Sequence, residues 1–333
     1  MILDDPHLGD DAMKAAVLHE FGKPPRYEEF SEPVPAESEV LVRMKTVALS
    51  RINKTRASGA HYDSYRQLPA VVGIDGVGLF EDGTRVFCGG PRPPYGTMSE
   101  RTVVSKERCM PLPEGVDDLT AAALPNAALS SWLPLAYRAK LQPGETVLIL
   151  GATGAAGKIA IQVAKYLGAG HVIAAGRNER VLRTLGELGA DSTISLNLSD
   201  QELTDAFTTE ASRHPFDIVL DYVWGHPVEV LVSALMRHDI MAEEGRIRLV
   251  SIGALAGPTA SIPSATLRSS GLEIYGSGGG SVSRKAIAET MPKLWAMAAQ
   301  GNVKIETESV PLSEVEETWN LPEINGRRHV FVV

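Results

Sequence analysis

Residues 146–177 read TVLILGATGAAGKIAIQVAKYLGAGHVIAAGR. The first five are an apolar run of the kind that a strand buried on both faces requires. The turn GATGAAG follows, with Gly151, Gly154 and Gly157. Next come Ile159, Ala160, Val163, Ala164 and Leu167 at helical spacing, then a second apolar run over residues 171–175. Strand, glycine turn, helix and strand within about 30 residues make one mononucleotide-binding βαβ unit. In this reading the glycines have separate jobs: a tight turn, close approach of backbone to a pyrophosphate, and close packing of helix on strand. Thr153 sits inside the turn, and the amides of Ala155, Ala156 and Gly157 in the first helical turn face the phosphates. The spacing is GxxGxxG rather than GxGxxG, so the string alone also fits a turn with only a packing role. Its place between strand and helix favours a dinucleotide.

The end of the second strand bears on which dinucleotide. A ribose 2'-hydroxyl is held by an acidic side chain there, whereas a 2'-phosphate takes cations. The chain offers Gly176, Arg177 and Asn178, with Arg180 one step on, which fits NADPH better than NADH. Glu179 argues the other way, and solvated arginines at a helix start are the bland alternative.

With 333 residues the chain has room for two domains. Its 41 acidic against 32 basic residues, with no basic tract, give no support to a nucleic-acid or anionic-membrane partner. Cys88 and Cys109 are too few for a disulfide framework or a four-cysteine zinc site, which suggests a reducing, cytoplasmic setting. Residues 1–12 are acidic, lack an apolar core and read as a flexible extension rather than a signal peptide. No apolar run reaches the length of a membrane span.

From Met13 onward the pattern is of strands, at residues 14–19, 40–48, 71–80, 84–87 and around Val103, with frequent glycine and proline between them. Residues 119–139 read as helix, kinked or divided by Pro125 and Pro134. Beyond the βαβ unit, helices at 179–188, 201–210 and 227–236 alternate with strands at 193–196, 216–223 and 246–254, and a last strand falls at 271–276. That alternation means a parallel sheet covered on both faces. Ligands of such sheets bind beyond the carboxyl ends of the strands, so residues 221–225 and 252–255, among them Val223, Ile252 and Gly253, should line the cofactor cleft. The run SGGGS at 277–281 reads as a crossing between domains. A helix at 284–300 carries a core-packing face of Ile287, Met291, Leu294 and Met297, and the tail returns to strand at 303–310 and 329–333.

Taken in order, SGAHY (58–62), LPAVVGIDGVG (68–78), YGTMSE (95–100), LPEGVDDLTAAALP (112–125), GATGAAG (151–157), LGAD (188–191) and FDIVLD (216–221) give a chain that resembles the medium-chain dehydrogenase/reductase superfamily. Within it the likeness is to the zinc-free, quinone-oxidoreductase-like branch that includes zeta-crystallin, over nearly all of residues 13–333. The resemblance implies an α/β fold of two domains with a cleft between them. A GroES-like β-rich catalytic domain takes 13–124 with 279–333, and a Rossmann-type cofactor domain takes 125–278. It also implies a homodimer.

Zinc-dependent members of the superfamily place a cysteine where this chain has Ser50, and a histidine-glutamate pair where it has Ile74-Asp75. Ser50 and Ile74 are not usable donors, so metal-independent reduction is expected. Asp75 is then a structural carboxylate, satisfied by backbone amides. The resemblance gives Arg180 and Arg328 to the adenosine end of the cofactor. A tyrosine that packs near the 2'-phosphate in relatives falls at Leu196, and the usual residues beside the nicotinamide become Ser50-Arg51 and Asn53.

Without a metal, the groups that polarise an acceptor oxygen must be side chains or amides. The candidates are Tyr62, Asn53, Ser50 and Asn126. Tyr62 is the leading hydrogen-bond donor or proton source, against a plain packing role, and the two asparagines serve equally as caps. An electron-poor quinone needs no strong acid. The expected activity is NADPH-dependent reduction of quinones. The alternatives are reduction of the double bond of an enoyl or alkenal compound, and an NADPH-binding protein with little turnover.

Overall fold

In a computed structural model, which describes residues 12–236 and 245–333, the chain begins with β1 (Ala12–Leu18), β2 (Arg26–Ser31) and β3 (Glu39–Ala48). They are followed by helix α1 (Arg51–Ala57), β4 (Ala70–Val71), β5 (Asp75–Leu79), β6 (Arg85–Gly89), β7 (Arg101–Ser105), β8 (Cys109–Pro111) and α2 (Asp118–Leu133). Next come β9 (Thr146–Leu150), α3 (Ala155–Tyr166), β10 (His171–Gly176), α4 (Glu179–Leu182), β11 (Ser192–Ser195), α5 (Asp200–Arg213) and β12 (Ile218–Asp221). After α6 (His226–Ala234), β13 (Ile247–Ser251), α7 (Ser264–Ser269), β14 (Leu272–Gly276) and α8 (Arg284–Ala299), the chain ends with β15 (Thr307–Pro311), α9 (Val315–Thr318) and β16 (Arg328–Val332).

Two units emerge. One joins the chain up to Pro125 with Ile305–Val333, and the other is Asn126–Lys304. In the second unit six parallel strands lie in the order β11-β10-β9-β12-β13-β14. The order reverses at β9, and the carboxyl end of that strand is the switch point at which such sheets take ligands. Every residue of β9 and β12 is buried, as a central strand with helices on both faces demands. Leu148, Leu150, Ile173, Val219 and Leu249 form the core with Phe207 of α5.

The first unit is mostly antiparallel. A three-stranded sheet (β2-β1-β4) lies beside a seven-stranded one in the order β15-β16-β3-β5-β6-β8, with β7 paired to β3. Val42, Met44, Val47, Val86, Val104 and Phe331 fill its interior. The tail does return to this unit, yet α8 stays with the parallel sheet, so the crossing falls at Ile305 rather than at residue 279.

Several local expectations shift. The run 71–80 divides into β4 and β5, because Gly73 adopts φ +104° and a Cβ there would come within 2.7 Å of the Met98 amide nitrogen. β2 and α1 escape a periodicity reading, since RYEEFS lacks clean alternation and RINKTRA buries only Asn53 and Ala57. α2 runs through Pro125 to Leu133, and residues Pro134–Ala139 wind into one wider π-helical turn that closes on Lys140 in a left-handed conformation. The helix expected at 179–188 is broken after Leu182 and resumes as a short 3-10 turn at Leu185–Leu188.

Candidate functional site

At the switch point, Gly151 leaves β9 with φ +94°, a conformation that glycine adopts without strain. A Cβ on Gly157 would lie 2.3 Å from the Gly151 carbonyl oxygen and 2.5 Å from the Ala152 Cα. Both are backbone atoms, so only glycine lets α3 seat this closely on β9. Gly176 ends β10 beneath Thr153, whose Cγ2 would be 2.5 Å from an added Cβ. Gly154 is different. It caps α3 with no side-chain acceptor, and an added Cβ would meet nothing closer than 3.8 Å. The fold does not require a glycine there, and the open space lies over the first-turn amides of Ala155, Ala156 and Gly157, which have no partner within the helix. An open turn over outward amides and the positive end of a 12-residue helix suits a pyrophosphate.

Beyond β10, Asn178 caps α4, its Oδ1 accepting from the amides of Arg180 (3.2 Å) and Val181 (3.3 Å). Its side-chain oxygen therefore serves the backbone. Glu179, the one acidic side chain here, accepts from the Ser195 hydroxyl, while Asn197 donates to the Arg177 carbonyl at 2.6 Å. Arg177 and Arg180 are exposed, with no ion-pair partner among the described residues. Two free guanidiniums beside a carboxylate that is already bonded favour a 2'-phosphate over a bare ribose.

β12 ends in Asp221, fully buried. Its Oδ1 accepts from the amides of Val223 and Trp224, both at 2.9 Å, and its Oδ2 has no partner among the described residues. Burial pushes this carboxyl up to about 6, against the pull of those amides. The Asp221 carbonyl in turn accepts from Ile252 (2.8 Å) and Gly253 (3.2 Å). A Cβ on Gly253 would meet the Tyr222 carbonyl oxygen at 2.7 Å. Val223, Ile252 and Gly253 are thus gathered at one edge.

In the first unit, Ser50 and Asn53 open α1 and are both buried. Asn53 Nδ2 donates to the Ala48 carbonyl at 3.0 Å, which orients the amide, and leaves Asn53 Oδ1 and Ser50 Oγ buried with no partner among the described residues. Buried polar atoms are nearly always satisfied, so this pair marks a place for a water or a ligand. Tyr62 is 76% exposed, with its ring tilted at 32° to that of His61, centroids 4.1 Å apart, and it bonds to neither orphan atom. Asn126 lies half-buried on α2, in the second unit.

Two expectations change here. Arg328 is 4% exposed and ion-paired with Glu323 at 2.7 Å, so it is a buried charge of the first unit and not the exposed cation that the sequence reading expects. Asp75 is not held by backbone amides among the described residues; burial pushes its carboxyl up to about 7, and the Arg328 guanidinium pulls it down. Burial pushes the thiol of Cys88 well up and that of Cys109 to about 11. A neutral hydroxyl at Ser50 and an aliphatic side chain at Ile74 leave Asp75 as the one strong donor of the three, and Ser50, Ile74 and Asp75 do not make a zinc site.

A zinc-binding dehydrogenase family model matches residues 155–300. A probable NADPH-dependent quinone reductase of Emericella nidulans is 30% identical over 361 aligned residues, which span 96% of this chain and 100% of that protein. A trans-enoyl reductase of Aspergillus terreus is 30% identical over 140 residues, 42% of this chain and 37% of that protein. The quinone oxidoreductase of Thermus thermophilus, whose structure was also solved with NADPH, superposes with a TM-score of 0.78 and 28% identity, covering 96% of this chain and 100% of that one.

Proposed function

The chain belongs to the zinc-free, quinone-oxidoreductase-like branch of the medium-chain dehydrogenase/reductase superfamily, and from that premise we propose that it reduces quinones with NADPH and without a metal. The observation that carries the reading is the edge around β9 and β10, where an open Gly154 turn lies over outward amides and the neighbouring strand ends in two unpaired arginines. Gly151, Thr153, Gly154, Ala155, Ala156 and Gly157 would hold the pyrophosphate, Gly176, Arg177, Asn178 and Arg180 the 2'-phosphate end, and Val223, Ile252 and Gly253 the middle of the cofactor. NADPH, when bound, supplies the hydride.

The chain's own part is to bind, orient and exclude water. Ser50 Oγ–H is the donor we assign to the acceptor carbonyl, and Asn53 Oδ1 the acceptor for the hydroxyl that reduction creates. Tyr62 and Asn126 are assigned to contact with the acceptor, Tyr62 as a proton source where one is needed. Reduction of an enone double bond is the second reading, favoured by the likeness to a trans-enoyl reductase.

Both readings are tested by following oxidation of NADPH and NADH with 1,4-benzoquinone, a 9,10-quinone and a short enone, in the presence of a chelator. Chelator-insensitive, NADPH-selective loss with a quinone is the expected result. A saturated ketone from the enone, with quinones inert, would move the assignment to the second reading. Tight NADPH binding with no turnover on any acceptor would overturn both.

A further inference from the structure

We propose that His171, Glu210 and His214 form a binding site for one divalent cation of the zinc class in the parallel-sheet unit. His171 begins β10, and Glu210 and His214 stand four residues apart in the last turn of α5 and its cap, a spacing that brings both to one face of the helix. One donor atom from each lies within 4.8 Å of the other two, and all three side chains are half-buried. His171 Nε2 is 3.4 Å from Glu210 Oε1. Two donors on one tetrahedral ion with bonds of about 2.0–2.1 Å stand about 3.3 Å apart, so this pair is already at the separation a shared ion needs.

The surroundings are those of a metal site. Ser192 Oγ donates to Glu210 Oε1 at 2.6 Å and orients that carboxylate. On the other side of the His171 ring, Asp191 Oδ2 is 3.9 Å from Nδ1, and it is itself held by the Val172 amide and Lys165. A carboxylate behind a ligating imidazole is the usual means of selecting its tautomer. The rings of His171 and His214 stack at 3.6 Å and 11°. Nitrogen lone pairs of parallel rings do not converge, so His214 must turn for both to bind. Beyond the stack, its side chain makes no hydrogen bond or ion pair among the described residues, and it sits at the cap where the helix ends. Two imidazoles and one carboxylate select zinc, nickel or copper over magnesium or calcium, and leave a position for water.

The three residues lie at the amino-terminal end of β10 and the carboxyl-terminal end of α5, whereas ligands of such a sheet bind beyond the carboxyl ends of the strands. The ion therefore acts as a clasp between strand and helix. Isothermal titration with Zn²⁺ at pH 7.5 on the full chain is expected to give one site, and Co²⁺ to give the visible bands of a four-coordinate ion. ZnCl₂ should raise Tm. Affinity is expected to fall about tenfold to a hundredfold in His171→Asn, Glu210→Gln and His214→Gln. Glu210→Gln keeps an acceptor for Ser192, so it separates loss of the ligand from loss of the fold, and a melt without metal checks each variant. No zinc uptake by the parent chain, or uptake unchanged in all three variants, would overturn the proposal.

Discussion

The turn after β9 and the start of α1 are built on opposite principles. Around β9 the proposed binding surface is backbone, and Gly151, Gly157, Gly176 and Gly253 each keep a Cβ away from a neighbour it would strain or strike. At α1 the surface is two side chains, Ser50 and Asn53, that leave one oxygen each buried and unmatched. A backbone site is costly to alter and tolerates almost any side chain beside it. A side-chain site costs the fold stability, and can change its chemistry by single substitutions.

Gly157→Ala should break the first region most severely. Its Cβ has only backbone to push against, and overpacking of this kind costs about 1–3 kcal/mol or more, so a fall in Tm together with loss of NADPH binding in a fluorescence titration is expected. Gly154→Ala is the matched control. The fold has room for it, and it should leave Tm unchanged while weakening NADPH, which separates what the helix needs from what the phosphate needs.

Asp221 gives the next largest effect. Its carboxyl is raised from 3.8 to about 6 in the folded chain, so the unfolded chain ionises first. Stability contributed by the protonated group is whole below pH 3.8 and is lost as pH rises to about 6, amounting to roughly 3 kcal/mol. Asp221→Asn should remove that slope from denaturation curves measured between about pH 4 and 7. An unchanged slope would mean that the buried Oδ2 is solvated.

Replacing Arg177 and Arg180 together with alanine should reduce the preference for NADPH over NADH about tenfold to a hundredfold in kcat/KM, through loss of charge-assisted bonds. The smallest and most discriminating change is Ser50→Ala. It removes an unmatched buried hydroxyl, so Tm should hold or rise slightly, while kcat/KM for a quinone falls about tenfold. A fall in both would make Ser50 a structural residue and erase the contrast between the two regions.

That contrast also explains what is legible in the sequence. The βαβ unit and the order of motifs disclose the parallel sheet and point to the proposed cofactor edge, because glycine spacing and apolar runs are local signals. Ser50 and Asn53 can be located only by family likeness, and their lack of partners depends on contacts no sequence window contains. Arg328 reads as a cofactor contact because its charge is visible and its burial beside Glu323 is not. The cluster of His171, Glu210 and His214 escapes a sequence reading altogether. Its one local signal is the four-residue step from Glu210 to His214, while the third member lies in another element.

The seating of β16 between β15 and β3 has a bearing on synthesis. Val332 pairs with Thr46, so the larger sheet of the first unit waits for a strand made after the entire second unit has emerged. The uninterrupted second unit can close on its own contacts, while the first must leave residues 46–48 of β3 without their β16 partners until synthesis catches up. Non-local pairing of this kind is slow. A ribosome-stalled chain ending near residue 304 would thus carry a folded nucleotide-binding unit tethered to an incomplete sheet, open to chaperones along the edge that β16 later covers.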